Sequence, residues 1–333
     1  LVRFAKKFMN YLSLKKKLYG PIFSIITPFN KNQQIDFKKL RRYINYLYNG
    51  GAKVFYIMVY NSRYGLLSEQ EIKKLNLFCI KVVKKLNKEN IIICAEPYHC
   101  STYKSIEYVN FFKRNGADIV SLIFGEKFYS EKQVLDHFKI INNKVKFPLL
   151  LHQQQIENGK TSNPPFVFYP ISLLEKISNL KNFVAMKEDA KNESYTRKIG
   201  KKLSKKIVII TSGGGKKQWI KANKNGCQSW LSGISNLDAK IAIDFYRYYK
   251  EKNNIAINKI IKLIEDPFFR ISKKYGWHLT IRSFLESAAI FKRFERRPLV
   301  ELDKKNFIKI DKIFKKMQKK FNGKYFNIKR KIQ

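Results

Sequence analysis

The sequence predicts a (β/α)8 barrel with a helical domain appended at its C-terminal end, and three observations predict it. From Gly20 to Lys252 a short apolar run is followed, eight times over, by a longer segment of helical period. The apolar runs are continuous rather than alternating, as in parallel strands covered on both faces. No glycine fingerprint follows an early strand, which weighs against an open doubly wound sheet. Eight βα units of this length close into a barrel.

The elements follow in order. The first strand is read at 20–29 (GPIFSIITPF) and its helix at 36–51. The second pair spans 52–60 and 68–87, the third 90–98 and 101–116, the fourth 117–125 and 130–143. The fifth strand, FPLLLHQQQ at 147–155, precedes a helix at 170–179. The sixth, FVAMKEDA at 183–190, precedes one at 192–204. The last two pairs are 207–215 with 217–226, and 227–235 with 236–252. Asp36, Ser68, Ser101, Ser130 and Asn192 stand where helices should begin, and each can cap a free backbone N–H. Gly116 and Gly226 stand where helices should stop. Residues 254–333 lack strand signals and read as helices at 254–265, 270–291 and 302–320. The expected division is a basic extension over 1–19, a barrel over 20–252 and a helical domain over 253–333.

The extension, LVRFAKKFMNYLSLKKKLYG with its last residue already in the barrel, is basic and loosely amphipathic. No small-residue cleavage site follows an apolar stretch, so it does not read as a secretory signal. It begins with Leu, which makes Met9 a candidate start. A helix or an unstructured arm is expected here.

Composition narrows the function classes. The 333 residues carry 68 Lys+Arg against 25 Asp+Glu, a net charge of +43. With 44% hydrophobic and 14% aromatic residues, the chain can bury a core despite that charge. No run reaches the roughly 20 apolar residues of a membrane span. Four cysteines, Cys79, Cys94, Cys100 and Cys227, have no CxxC or CxxH spacing, so neither a disulfide framework nor a zinc site is expected. A reducing cytoplasm suits them. The basic balance is a footprint for phosphate binding, but the lysines are scattered along the whole chain. No aromatic RNP strand, zinc-finger spacing or basic heptad accompanies them. Nucleic acid is therefore not the expected partner.

Barrel enzymes keep their chemistry at the C-terminal ends of the strands, which makes Lys187 the most unusual residue of the chain. Flanked by Val184, Ala185 and Met186 in a strand buried on both faces, its amine should be desolvated. Desolvation favours the neutral, nucleophilic form, which attacks carbonyls to give a Schiff base. The alternative is a strand-end lysine that snorkels to water or pairs with Glu188 or Asp189. His152 ends the fifth strand, and the polar run Gln153, Gln154, Gln155 after it is costly unless it lines a wet cavity. Glu96 and Glu126, ending strands three and four, are possible supporting carboxylates. Gly213, Gly214 and Gly215 before Lys216 offer backbone N–H groups suited to an anion. His137 and His278 read as structural.

The order of motifs resembles the dihydrodipicolinate synthase / N-acetylneuraminate lyase family of class I aldolases over residues 20–320. The carrying segments are Thr27-Pro28-Phe29 with Ile35-Asp36, Leu67-Ser68 with Glu71, Asn115-Gly116-Ala117-Asp118, Asp136-His137-Phe138 and Met186-Lys187-Glu188-Asp189. Ser212-Gly213-Gly214, Gly226-Cys227, Leu231-Ser232, Asn236 and Arg297-Pro298-Leu299 complete the series. The resemblance puts the family's Schiff-base lysine on Lys187. It puts His152 where the family has a proton-relaying tyrosine, a task imidazole can also perform. Such a relay predicts a titration of kcat between about pH 5.5 and 8. The family's carboxylate-binding Gly-Thr-Thr-Gly-Glu loop is Val59-Tyr60-Asn61-Ser62-Arg63 here, and Asn61, Ser62 and Leu231 are the implied substrate contacts. The strand-four tyrosine and the arginine after strand five are replaced, which points to a divergent branch. The resemblance implies a Schiff-base lyase or aldolase acting next to the ketone of pyruvate or a related 2-oxo acid. It also implies a homo-oligomer, dimer or tetramer, and neither metal nor organic cofactor. The rivals are a catalytically silent barrel binding a sugar acid, and a basic nucleic-acid-associated protein.

Overall fold

The computed structural model describes residues 11–161, 164–212, 215–231 and 233–326. Its sheet is built from β1 (Gly20–Ser24), β2 (Val54–Ile57), β3 (Ile91–Ala95), β4 (Ile119–Leu122) and β5 (Leu149–Gln153), followed, after two short strands, by β8 (Phe183–Glu188), β9 (Val208–Thr211) and β10 (Ser229–Leu231). These eight strands are parallel neighbours in that order, and β10 closes back onto β1. Every residue of the eight is buried, which is why the apolar runs show no alternation.

The barrel's outer helices are α2 (Phe37–Asn49), α3 (Glu69–Leu86), α4 (Thr102–Arg114), α5 (Glu131–Lys144), α6 (Ile171–Ser178), α7 (Glu193–Leu203), α8 (Gly215–Asn223) and α9 (Ala239–Lys250). Asp36, Ser68, Ser101, Ser130 and Asn192 each accept a backbone N–H of the first turn, and Ser68 with Glu71 forms a full capping box. Gly116 and Gly226 take φ values of +92° and +99° just beyond their helices, which only glycine adopts without cost.

Three features refine or correct the expected layout, the first being the helix expected as one of two alternatives for the N-terminal extension. The basic N-terminal segment carries α1 (Tyr11–Lys17), whose Leu14 joins the core together with Leu18 beyond the helix. Tyr11 donates to the Asn182 side chain, and the Leu18 carbonyl accepts from Ser229 Oγ. The segment therefore packs against the N-terminal ends of β8 and β10 rather than hanging free. Second, the long β5–α6 connection forms an antiparallel ribbon of β6 (Ile156–Glu157) and β7 (Phe166–Val167). Third, the helix expected over 270–291 is two helices, α11 (Asp266–Tyr275) and α12 (Trp277–Ser287), separated by Gly276 at φ +84°. The preceding α10 (Asn254–Ile260) runs into α11 through one π turn, Ile261–Glu265, and α13 (Lys304–Lys319) completes the C-terminal helices.

That π turn explains part of the glycine run. Glu265 lies over the start of α8, where both carboxylate oxygens accept the Lys216 backbone N–H at 3.0 and 2.9 Å. The buried Lys216 ammonium also reaches Glu265, at 3.3 Å, and Ser235 Oγ at 3.2 Å. The anion expected at this helix N-terminus is thus a carboxylate of the chain itself. Gly215 has φ +90°, and a Cβ there would meet the Glu265 carboxylate at 2.9 Å and the Phe269 ring at 2.8 Å. Gly215→Ala is expected to destabilise the fold by roughly 2–3 kcal/mol, from left-handed strain plus overpacking. A lower denaturation midpoint at unchanged slope would show it.

Candidate active site

Beyond a register shift between Leu149 and Leu150, regular pairing of β5 with β8 sets His152 directly opposite Lys187, so both share one face of the sheet, toward the barrel mouth. Lys187 is 1% exposed, and its Nζ lies 3.0 Å from His152 Nε2 and 2.6 Å from Asp189 Oδ2. His152 Nε2 is 3.5 Å from the same carboxylate oxygen, too far for a strong hydrogen bond. The lysine ammonium therefore sits between a carboxylate and an imidazole, donating to both. His152 accepts at Nε2, which leaves its proton on Nδ1, a buried atom without a partner among the described residues.

The electrostatics follow from burial and from that triangle. Burial and the Lys187 charge push the His152 imidazolium down to about 4, against the opposing pull of Asp189. The ring is neutral at pH 7, so the expected titration between about pH 5.5 and 8 does not belong to His152 in the free protein. Burial would raise the Asp189 carboxyl, but Lys187 and His152 overcome it and hold the group well below the usual carboxylate range.

A cavity of about 670 Å³ opens above Lys187. Asn61, Leu231, Lys187 and Asp189 are in its wall, with Tyr60, Tyr98, Gln154 and Gln155 on one side and Trp277 and His278 on another. Tyr60 donates to Gln154 Oε1 at 2.6 Å, and Gln154 Nε2 donates to Tyr98 at 2.9 Å, so the three form one hydrogen-bonded strip. Tyr60 also meets the His152 ring edge to face at 6.0 Å. Phe166 of the β6–β7 ribbon stands at the mouth, 53% exposed. Asn61 Nδ2 and Asn236 Nδ2 both donate to Ser24 Oγ, which fixes the Asn61 amide against β1.

Several expected residues lie elsewhere. Ser62 is buried with its hydroxyl donated to the Ile25 carbonyl at 2.7 Å, and it is not in the cavity wall. Arg63 faces a neighbouring hollow and pairs with buried Glu295, which Arg282 also approaches at 3.3 Å. Arg282 itself donates to the carbonyls of Thr27 and Phe294, tying α12 to the end of β1. Gln153 neighbours His152 in β5 and so points the other way, toward the helix layer, where both its polar side-chain atoms are buried without partners among the described residues. Glu126 is exposed in a separate groove beside His137. Gly213 and Gly214 lie outside the described residues. His137 is bonded to Thr102 at 3.0 Å, outside the cavity, whereas His278, read as structural, is a cavity residue.

Glu96 also faces the helix layer, between β3 and α4, with Oε1 accepting the Ile123 N–H at 2.9 Å. Burial raises it from 4.5 to about 8, against the restraint of Ser105 and that bond. The folded protein keeps this proton where the unfolded chain releases it. Stability should therefore fall as pH rises from about 4.5 to 8. Glu96→Gln is expected to remove that slope and to stabilise the fold at pH 7 by up to about 3 kcal/mol. Denaturation midpoints at pH 5, 7 and 8 for both proteins would check it.

Asp189, His278, Tyr60, Tyr98, Trp277 and Phe166 are the site residues that residue-by-residue reading missed. For Asp189 a signal was present. Two residues beyond Lys187 in a strand, it must share the lysine's face.

The sequence profile of the Dihydrodipicolinate synthetase family matches residues 17–317. The 4-hydroxy-tetrahydrodipicolinate synthase of Staphylococcus epidermidis is 26% identical over 246 residues, covering 73% of this chain and 78% of the relative. Among solved structures, dihydrodipicolinate synthase from Bacillus clausii superposes with a TM-score of 0.77 at 20% identity, covering 93% of this chain and 99% of that one. CdNal from Clostridium difficile, solved in complex with mannosamine, gives a TM-score of 0.74 at 16% identity, over 91% and 99%. At these identities the two structures speak for the fold.

Proposed function

Since the chain belongs to the dihydrodipicolinate synthetase family and is a Schiff-base lyase or aldolase acting on pyruvate or a related 2-oxo acid, we propose that Lys187 is the amine that carries the reaction. The observation that supports it most is the burial of Lys187 at the floor of the cavity with its Nζ 3.0 Å from a neutral imidazole. His152 Nε2 takes a proton from the lysine nitrogen, and the freed amine adds to the ketone carbon. Loss of water leaves an imine whose protonated form draws electrons from the neighbouring carbon. A carbon–carbon bond at that carbon then forms or breaks through the enamine. His152 returns or removes the proton, as a general acid or base within hydrogen-bond reach. Asn61 and Leu231 line the space above Lys187 and are the proposed contacts of the 2-oxo acid, Asn61 through its amide. We read the chain as a homo-oligomer of the cytoplasm, and its free cysteines, three of them buried, support the reducing compartment.

Incubation with each of a panel of 2-oxo acids, pyruvate first, followed by borohydride and peptide mapping, tests the proposal. A fixed mass increase on the peptide containing Lys187 is expected. An adduct on a different lysine, or none with any acid of the panel, would refute it.

A further inference from the structure

Asp189 has no part in the chemistry above, yet its carboxylate is the nearest polar group to the lysine nitrogen, 17% exposed and in the cavity wall. We infer that Asp189 is the counter-ion of the protonated imine formed at Lys187, holding its single N–H so that His152 Nε2 is free to serve the substrate carbon. The inference rests on the reading of Lys187 as the imine-forming amine.

Proton counting leads to it. An ammonium and a ketone condense to a protonated imine and water. The nitrogen falls from three protons to one, two leaving with the ketone oxygen, and the charge stays at +1. Before condensation the nitrogen can donate to both acceptors, Asp189 Oδ2 at 2.6 Å and His152 Nε2 at 3.0 Å. Afterwards it can donate to one. The carboxylate is closer and anionic, and a charge-assisted bond of this kind is about twice as strong as a neutral one. The imidazole is then released.

The carboxylate is held for this task. The Asp189 backbone N–H donates to the Gln153 carbonyl at 2.9 Å, extending the β5–β8 ladder beyond Gln153. The turn after it is pinned by Glu188, whose two oxygens accept the Ala190 N–H and the Thr196 hydroxyl, both at 2.8 Å. The groups whose charges bear on Asp189 are Lys187 and Glu188 from its own strand, His152 from β5, Tyr56 from β2 and Tyr60 from the loop after β2. Lys187 is the one lysine or arginine among them. Lys191, two residues on, is an exposed cavity residue. In a buried site an uncompensated iminium would shed its proton at lower pH, and with it the electron sink.

The test is the pH dependence of trapping with pyruvate and cyanoborohydride, which reduces the protonated imine and leaves the neutral one. In the wild type, the adduct yield read by intact mass should persist to higher pH than in Asp189→Asn, with the midpoint of its fall lower by at least about one pH unit in the variant. Asp189→Glu keeps the charge and should keep the wild-type midpoint. This gives a second reading if the Asn variant's thermal melt shows it misfolded. Equal midpoints in wild type and Asn variant, both forming the adduct, would overturn the counter-ion role and leave Lys187 standing. A Glu variant trapping at the lowered midpoint would overturn it too. No adduct in the wild type with pyruvate or any other acid of the panel would overturn both readings together.

Discussion

Lys187→Ala is expected to abolish the borohydride adduct and to lower turnover by about 10⁴–10⁶-fold, the range seen when a covalent catalyst loses its nucleophile. Among the described residues no second amine stands at the cavity floor. The cavity's other lysine, Lys191, is exposed, and neither His152 nor Asp189 forms an imine. The substitution removes a buried cation and leaves Asp189 without its main partner, which is destabilising in its own right. Lys187→Met fills the volume and separates the two effects. If circular dichroism shows the Met variant folded while activity is lost, the loss is chemical. Turnover within tenfold of wild type would place the nucleophile elsewhere.

The next largest effect is expected at His152. His152→Gln keeps a polar group of similar reach but cannot relay a proton, and proton-transfer steps should slow by roughly 10²–10⁴-fold. Imine formation, followed by the adduct, should fall less than overall turnover. The pH profile carries a separate signature. The ring must be neutral to accept, so kcat/KM in the wild type should fall as pH drops through about 4. That acid limb should vanish in the Gln variant. His152→Tyr restores the residue of the wider family and should preserve part of the activity while moving the titration to alkaline pH. Wild-type rates and an unchanged profile in the Gln variant would make His152 a packing residue.

The barrel was legible because strands covered on both faces leave a continuous apolar signature, and because Ser, Asp and Asn caps mark the helix starts. The same signature hides orientation. With apolar residues on both faces of a strand, nothing local says whether Glu96 looks into the barrel or out to α4. Both Glu96 and Gln153 were therefore expected in the site, and both face the helix layer. Once one residue of a strand is anchored, period two settles its neighbours. Lys187 inside implies Asp189 inside and Glu188 outside, as found. His278 and Trp277 could not be read this way, since they reach the mouth only through packing of α12 against an end of the barrel more than a hundred residues earlier in the chain. Glu265 escaped for the same reason, its partner being the backbone of Lys216.

The π turn at Ile261–Glu265 has a consequence for how the C-terminal helices are joined to the barrel. One extra residue in a helix rotates everything after it by about 100° relative to what precedes it. Here that offset works like a gear tooth. It presents Glu265 to α8, and through Lys216 to Ser235, just beyond the β10 end that contributes Leu231 to the cavity. With ordinary helical pitch over 261–265, the Glu265 carboxylate would point away from α8 and the Lys216 N–H would lose its acceptor. The C-terminal helices are thus meshed with the barrel's rim at α8.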